Sequence, residues 1–217
     1  MMVEIWSDVV CPWCYIGKRR FEEAKTAFEE RTGEKVEVVY RPFMLDPTAP
    51  KDGQPVRAVY EKKFGGPQAA QEILDRVTSE AAGEGLEFRM DIAVRANTLD
   101  AHRLLVLAEQ HDCQIQLKER LMAAYFTEGV DVGDIDRLVE FGAEAGLDAE
   151  VARAWLQGDG GRSEVAESLD FAASNGLTGV PTYVFDRRVA LPGAQPAATF
   201  DRVLDRVAAT DGPAQLL

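Results

Sequence analysis

Two cysteines, Cys11-Pro12-Trp13-Cys14, follow directly on the apolar run Val3-Glu4-Ile5-Trp6. That placement constrains the fold more than any other feature of the chain. A short strand must end, turn and open a helix within a few residues, with both thiols at the turn. Cys11 takes the N-cap of that helix. Pro12 takes the first helical position, where its missing N–H costs nothing and its fixed φ is already helical. An N-cap side chain accepts hydrogen bonds from the N–H groups two and three residues on, here those of Trp13 and Cys14. A thiolate accepts better than a thiol, and the positive end of the helix dipole favours it further. Cys11 is therefore expected to have a depressed pKa and to be the attacking sulfur. Cys14 lies one turn on, roughly 5–6 Å away by Cα, within range of an unstrained disulfide.

Two other chemistries use this spacing. A structural zinc needs four ligands from Cys and His. Beyond the pair the chain offers only Cys113, His102 and His111, with no second CxxC and no HxxxH. A permanent structural disulfide closing so short a link would restrain the unfolded chain little. The pair therefore reads as redox-active, with no metal and no cofactor required. Cys113 reads as a reduced thiol near a helix end.

The chain carries 37 acidic and 24 basic residues, a net charge of −13, which argues against nucleic acid or an anionic membrane as partner. No apolar stretch approaches the length of a membrane span. Met1-Met2-Val3-Glu4 runs straight into a strand without the basic and apolar regions of a signal peptide. The expected location is cytoplasmic, where cysteine pairs are kept reduced and tend to be catalytic. The 217 residues, 46% hydrophobic, suffice for one large domain or a domain with a substantial insertion.

Val3–Trp6 reads as a buried strand. The helix behind it carries Ile16, Phe21, Ala24 and Phe28 and ends at Gly33. Val36–Tyr40 is a second strand stopped by Pro42, which makes a parallel βαβ unit. From about Asp46 to about Arg162 nearly everything reads as helical. The pattern gives one helix from Pro67 to near Gly83 and another from Thr98. A third runs along Leu117, Leu121, Ala124 and Tyr125, and two more are capped by Asp134 and Asp148. A helix over Ser163–Asn175, strands at Thr182–Phe185 and Val189–Leu191 about a turn at Asp186-Arg187, and a helix from Pro196 to about Ala208 complete the pattern. The tail 211–217 is expected to be loose. This order describes an α/β chain with a thioredoxin-like fold, residues 1–45 and 163–217, and an inserted all-helical domain, residues 46–162. A CxxC at the first β–α junction of such a unit is a redox signature.

Five segments carry a family resemblance in the right order. They are Ser7-Asp8-Val9-Val10-Cys11-Pro12-Trp13-Cys14-Tyr15-Ile16-Gly17, Arg41-Pro42-Phe43-Met44-Leu45, Asn97-Thr98-Leu99-Asp100-Ala101-His102-Arg103, Gly179-Val180-Pro181-Thr182, and Gly193-Ala194-Gln195-Pro196. On these, nearly the whole chain resembles the DsbA-like thiol–disulfide oxidoreductases, in their cytoplasmic FrnE-type branch. That branch is related to 2-hydroxychromene-2-carboxylate isomerases and kappa-class glutathione transferases. The resemblance implies that Pro181 is a cis-proline facing the dithiol, leaving the Val180 backbone to pair with an extended substrate beside Pro12 and Trp13. His102 falls on the same motif; it either lines the cleft, stabilising a thiolate or binding a small thiol, or is a helix residue bonded to a carbonyl. Asn97 is a natural N-cap before Thr98-Leu99-Asp100. Gln195 precedes the last helix, whose free N–H groups suit a carboxylate. Arg41 reads as surface charge.

The reaction implied is thiol–disulfide exchange by a dithiol–disulfide oxidoreductase or isomerase. Cys11 forms a mixed disulfide that Cys14 resolves. Its partners are protein or small-molecule thiols and disulfides, glutathione among them. The proline beside Cys11 is shared with DsbA-type oxidants and points to a more oxidising couple. One alternative is a glutathione-dependent isomerase or transferase acting on a small aromatic or polyketide-like substrate; in those relatives the first cysteine position is typically serine, which counts against it. Another is a redox-sensing module without turnover, which would use the same dithiol.

Overall fold

The computed structural model describes residues 1–50 and 53–210; the tail expected to be loose lies outside the described residues. Strand β1, Met2–Ser7, is central and buried on both faces. Its period of two puts Val3 and Ile5 on one side and Glu4 and Trp6 on the other, all at most 3% exposed. Helix α1, Pro12–Thr32, buries Ile16, Phe21, Ala24 and Phe28 as one stripe and ends at Gly33, whose φ of +75° lets its N–H reach back to the Glu29 carbonyl. Strand β2, Glu37–Pro42, runs parallel to β1. Strands β3, Thr182–Phe185, and β4, Val189–Pro192, form a hairpin turned by Asp186 and Arg187, both left-handed. The sheet order is β2-β1-β3-β4, with β3 antiparallel to β1. On the Val3 and Ile5 face, α1 and the last helix α9, Ala197–Ala208, enclose a core of Phe21, Phe28, Tyr183, Phe185, Phe200 and Leu204. On the other face Trp6 stacks on Phe171 of α8, Arg162–Ser174, at 5.3 Å. This is the expected thioredoxin-like α/β arrangement.

Between β2 and α8 run α2, Val56–Phe64; α3, Pro67–Gly83; α4, Leu99–Gln110; α5, Gln114–Phe126; α6, Ile135–Ala145; and α7, Ala149–Gln157. Asp134 and Asp148 cap α6 and α7 through their side chains, as their positions predict. Two features depart from the sequence pattern. Helix α2 has no apolar stripe to announce it, since only Val56 in it is buried. Residues 86–98 are irregular rather than helical. That stretch lies along α5: Phe88 stacks on Phe126 at 4.3 Å, and the Arg89 N–H donates to the Phe126 carbonyl.

Two side chains fix these helices. Arg103 of α4 is fully buried and donates to the carbonyls of Trp155, Leu156, Gly158 and Gly160 and to Asp100, gathering the end of α7. Gln114 at the start of α5 reaches the outer edge of β2. Its Oε1 accepts from the Tyr40 N–H at 2.8 Å and its Nε2 donates to the Tyr40 carbonyl at 2.9 Å. Among the described residues no helix is long and apolar enough to cross a membrane.

Candidate active site

β1 ends at Ser7, and a tight turn over Asp8-Val9-Val10 delivers Cys11 to the N-cap of α1, its N–H donating to the Asp8 carbonyl at 3.3 Å. Pro12 occupies the first helical position, as expected. Cys14 follows one turn on, and its N–H donates to the Cys11 carbonyl at 3.0 Å. Both thiols are free and buried, 4% and 3% exposed. The side-chain cap expected of Cys11 is not made. Its Sγ turns instead to the Val180 carbonyl, 3.7 Å away, across the cleft from the β3 side. The Val180–Pro181 peptide is cis, and the Pro181 carbonyl accepts from the Gly193 N–H at 2.7 Å.

The electrostatics reverse the expected order of acidity. Cys11 is raised well above an ordinary thiol, first because its S–H is engaged with Cys14, then by burial and the Cys14 charge. Burial also pushes Cys14 up, but the Cys11 S–H, the cation of Lys118 and the Ser7 hydroxyl outweigh it, so Cys14 is lowered. The two sulfurs share one proton and titrate as a unit. Within that unit negative charge is favoured on the Cys14 side, where Lys118 adds its cation. Both sulfurs feel the helix N-terminus, and Lys118, distant in the chain, adds its charge on the Cys14 side.

Asp8 lies beneath the pair, fully buried. Burial raises its carboxyl, but hydrogen bonds from His102 at 3.1 Å and the Leu45 N–H at 2.8 Å hold it low. His102 is itself 1% exposed and packs against Asp8. Asn97 holds the chain ahead of α4. Its Oδ1 accepts from the Leu99 N–H, its amide donates to the Ala49 carbonyl, and Thr98 takes the N-cap of α4. Gln195 folds back on its own turn, donating to the Pro192 carbonyl at 2.8 Å, and Pro196 takes the N-cap of α9. Trp13 stays part-exposed at the rim with Arg76 of α3 over its ring at 5.5 Å. Tyr60 of α2 is pushed up to about 12 by burial and by the neighbouring Cys11 charge. Cys113, at the N-cap of α5, is buried, and burial and Asp112 push its thiol up. Arg41 is more than surface charge: it pairs with Glu4 and Glu109, and Arg187 meets the same Glu4.

The structure thus brings Cys11, Cys14, Val180 and Pro181 together, with Pro12 and Trp13 alongside, while Asn97, His102 and Gln195 make their hydrogen bonds within the protein. Sequence reasoning missed Ser7 and Lys118. Ser7 stands in the dithiol motif with no local signal of a role, and Lys118 sits between the apolar positions of α5, where a solvent-facing lysine is the ordinary expectation.

A mixed sheet of this order with a dithiol at the head of its first helix defines a thioredoxin-fold redox protein. Residues 2–205 match the DSBA-like thioredoxin domain, and the chain belongs to that family. It is 42% identical to a probable DsbA oxidoreductase from Streptomyces coelicolor, covering 100% of this chain and 94% of that one, with a TM-score of 0.91. The cytosolic disulfide reductase DsbM from Pseudomonas aeruginosa, solved with GSH, shares the fold at 22% identity and TM-score 0.65, over 97% and 100% of the two chains. A 2-hydroxychromene-2-carboxylate isomerase shares it at 16% identity and TM-score 0.66, over 96% of each.

Proposed function

We propose that the protein is a thiol–disulfide oxidoreductase acting through Cys11-Pro12-Trp13-Cys14. The observation that carries this is the pair itself: two free thiols side by side at the start of α1, with Cys11 Sγ against the Val180 carbonyl. Attack begins when the Cys11 proton passes to Cys14, the better-stabilised anion. The Cys11 thiolate then forms a mixed disulfide and releases one substrate thiolate. Cys14 resolves it, leaving the Cys11–Cys14 disulfide and a second substrate thiol. The reverse sequence reduces the protein. The proposed partners are protein or small-molecule thiols and disulfides, glutathione included, met in the cytoplasm. Residues 46–162 serve as an inserted helical domain that walls the cleft with Tyr60, Arg76 and Tyr125, while 1–45 and 163–217 form the thioredoxin-like part.

The test is turnover of a model disulfide. Cys11→Ser should abolish it, and Cys14→Ser should accumulate mixed disulfides on Cys11. Turnover that survives Cys11→Ser removes the assigned nucleophile. Glutathione conjugation of an aromatic electrophile should be weak beside disulfide exchange; conjugation that outlasts the loss of both cysteines would establish a transferase instead, and redox cycling without turnover a sensor.

A further inference from the structure

Three buried polar side-chain atoms in the described structure have no hydrogen-bond partner, Trp6 Nε1, Ser7 Oγ and Lys118 Nζ, and the last two both bear on Cys14. Lys118 is 0% exposed, and a lysine is almost never so buried unless paired. Its position does not depend on its own charge. The next residue, Glu119, clamps α5 to α1 by accepting from the Tyr15 hydroxyl at 2.7 Å and by pairing with Lys18 and Arg19. The Lys118 ammonium lies over the Tyr40 ring of β2 at 5.3 Å. The charged and titratable groups facing it are Cys14, Cys11 and Lys18 from α1 and Asp8 from the turn after β1. Asp8 holds His102 and the Leu45 N–H on its two oxygens and attracts the ammonium from beyond hydrogen-bond range. Cys14 is the strongest of the facing anions and one that disulfide formation removes.

We propose that Lys118 is the fixed counter-ion of Cys14, a positioning residue that pairs with its thiolate in the reduced protein and loses that partner when the disulfide forms. Ser7, whose hydroxyl has no other partner, is the second group able to donate to the same sulfur. This rests on the reading of Cys11 and Cys14 as the exchanging pair. Burial brings the Lys118 ammonium down to about 8, and Cys14 heads the groups that hold it up. Reduction then runs as disulfide plus two substrate thiols giving substrate disulfide, the Cys11 thiol, the Cys14 thiolate and one proton. The two electrons come from the substrate thiols. One proton stays on Cys11 and the other leaves to solvent. Forming the disulfide removes the Cys14 anion and leaves the buried ammonium less compensated, with Asp8 still facing it, so the oxidised state is the disfavoured one. The lysine therefore biases the enzyme towards taking electrons.

The test is Lys118→Met, equilibrated in glutathione redox buffer. The ratio of reduced to oxidised protein should fall about tenfold at fixed buffer, which for a two-electron couple is about 30 mV towards a more reducing potential. The thiolate absorbance should rise at higher pH than in the wild type. A shift under twofold with an unchanged thiolate titration overturns the proposal. Should Lys118→Met not fold on its own, the Cys14→Ala background decides. There the lysine has lost its partner, so Cys14→Ala/Lys118→Met should unfold at higher urea than Cys14→Ala alone. A double variant that is no more stable shows a merely structural lysine and overturns the proposal. Failure of the exchange reading would show separately, as absent turnover in the wild type.

Discussion

Replacing Arg103 with methionine should be among the most damaging single changes outside the dithiol. All five of its guanidinium N–H groups are used: Nε to Gly160, Nη1 to Asp100 and Leu156, and Nη2 to Trp155 and Gly158. The carbonyls of Trp155 and Leu156 lie at the C-terminal end of α7, where a cation also meets the negative end of the helix dipole. Methionine fills much of the volume but donates nothing. Each orphaned buried acceptor costs about 1–3 kcal/mol. Breaking a buried ion pair, here with Asp100 at 2.8 Å, costs about 3–5 kcal/mol. These overlap, because loosening of the turn after α7 readmits water. A net loss of about 4 kcal/mol follows, a large share of a typical domain's stability of about 5–15 kcal/mol. Urea unfolding followed by circular dichroism should place the midpoint about 2 M lower, at an m-value of about 2 kcal/mol/M. Lysine keeps the charge but offers three donors without the fork, so Arg103→Lys should fall between. A loss below about 1 kcal/mol for methionine, or equal losses for both variants, would refute the argument that the fork matters.

Gly17→Ala should lower stability by about 1–3 kcal/mol through overpacking, because a Cβ there would sit 2.7 Å from the Tyr183 hydroxyl and 3.1 Å from Ala194 Cβ. The expected fall in Tm is roughly 2–4 °C per kcal/mol, and an unchanged Tm would show that α1 can shift freely off β3 and the loop between β4 and α9. The second change concerns acid. Burial raises Glu4, but its bonds to Arg187 and Arg41 outweigh this and hold it low. A carboxylate lowered on folding stabilises fully above its unfolded value, about 4.3, and loses that contribution as pH falls through the lowered folded value. Glu4→Gln should flatten the decline of Tm between about pH 4 and pH 2; an unaltered slope would assign acid sensitivity elsewhere.

Much of this structure is legible from the chain. The Val3–Trp6 run, the Phe21 and Phe28 stripe, Gly33 and the caps Asp134 and Asp148 are local signals, and each determines its own element. What is not legible depends on the far side of a contact. Helix α5 shows Leu117, Leu121 and Tyr125 as one apolar face, which makes Lys118 read as solvent-facing. In the fold α5 is covered by β2 on one side and by α4 and α6 on others, so Gln114, Lys118 and Met122 are buried too. The acidity of the dithiol turned on that covering. His102 was legible as a residue of interest but not in its role, because its partner Asp8 lies 94 positions away. Helix α2 was silent because only one of its residues is buried.

The contact between Gln114 and Tyr40 has a consequence for how this molecule meets copies of itself. A sheet edge offers a row of unpaired N–H and C=O groups, a template on which another chain can add a strand. Here one side-chain amide takes the place of a peptide unit from a missing neighbour, matching both the N–H and the C=O of Tyr40 in the middle of the outermost strand. The opposite edge, β4, is four residues long and ends in Pro192, which has no N–H to give. Both margins of the sheet are therefore poor nuclei for strand exchange. Opening the Gln114 contact would leave a reactive edge beside the dithiol domain, turning a monomer-scale fault into an aggregation seed.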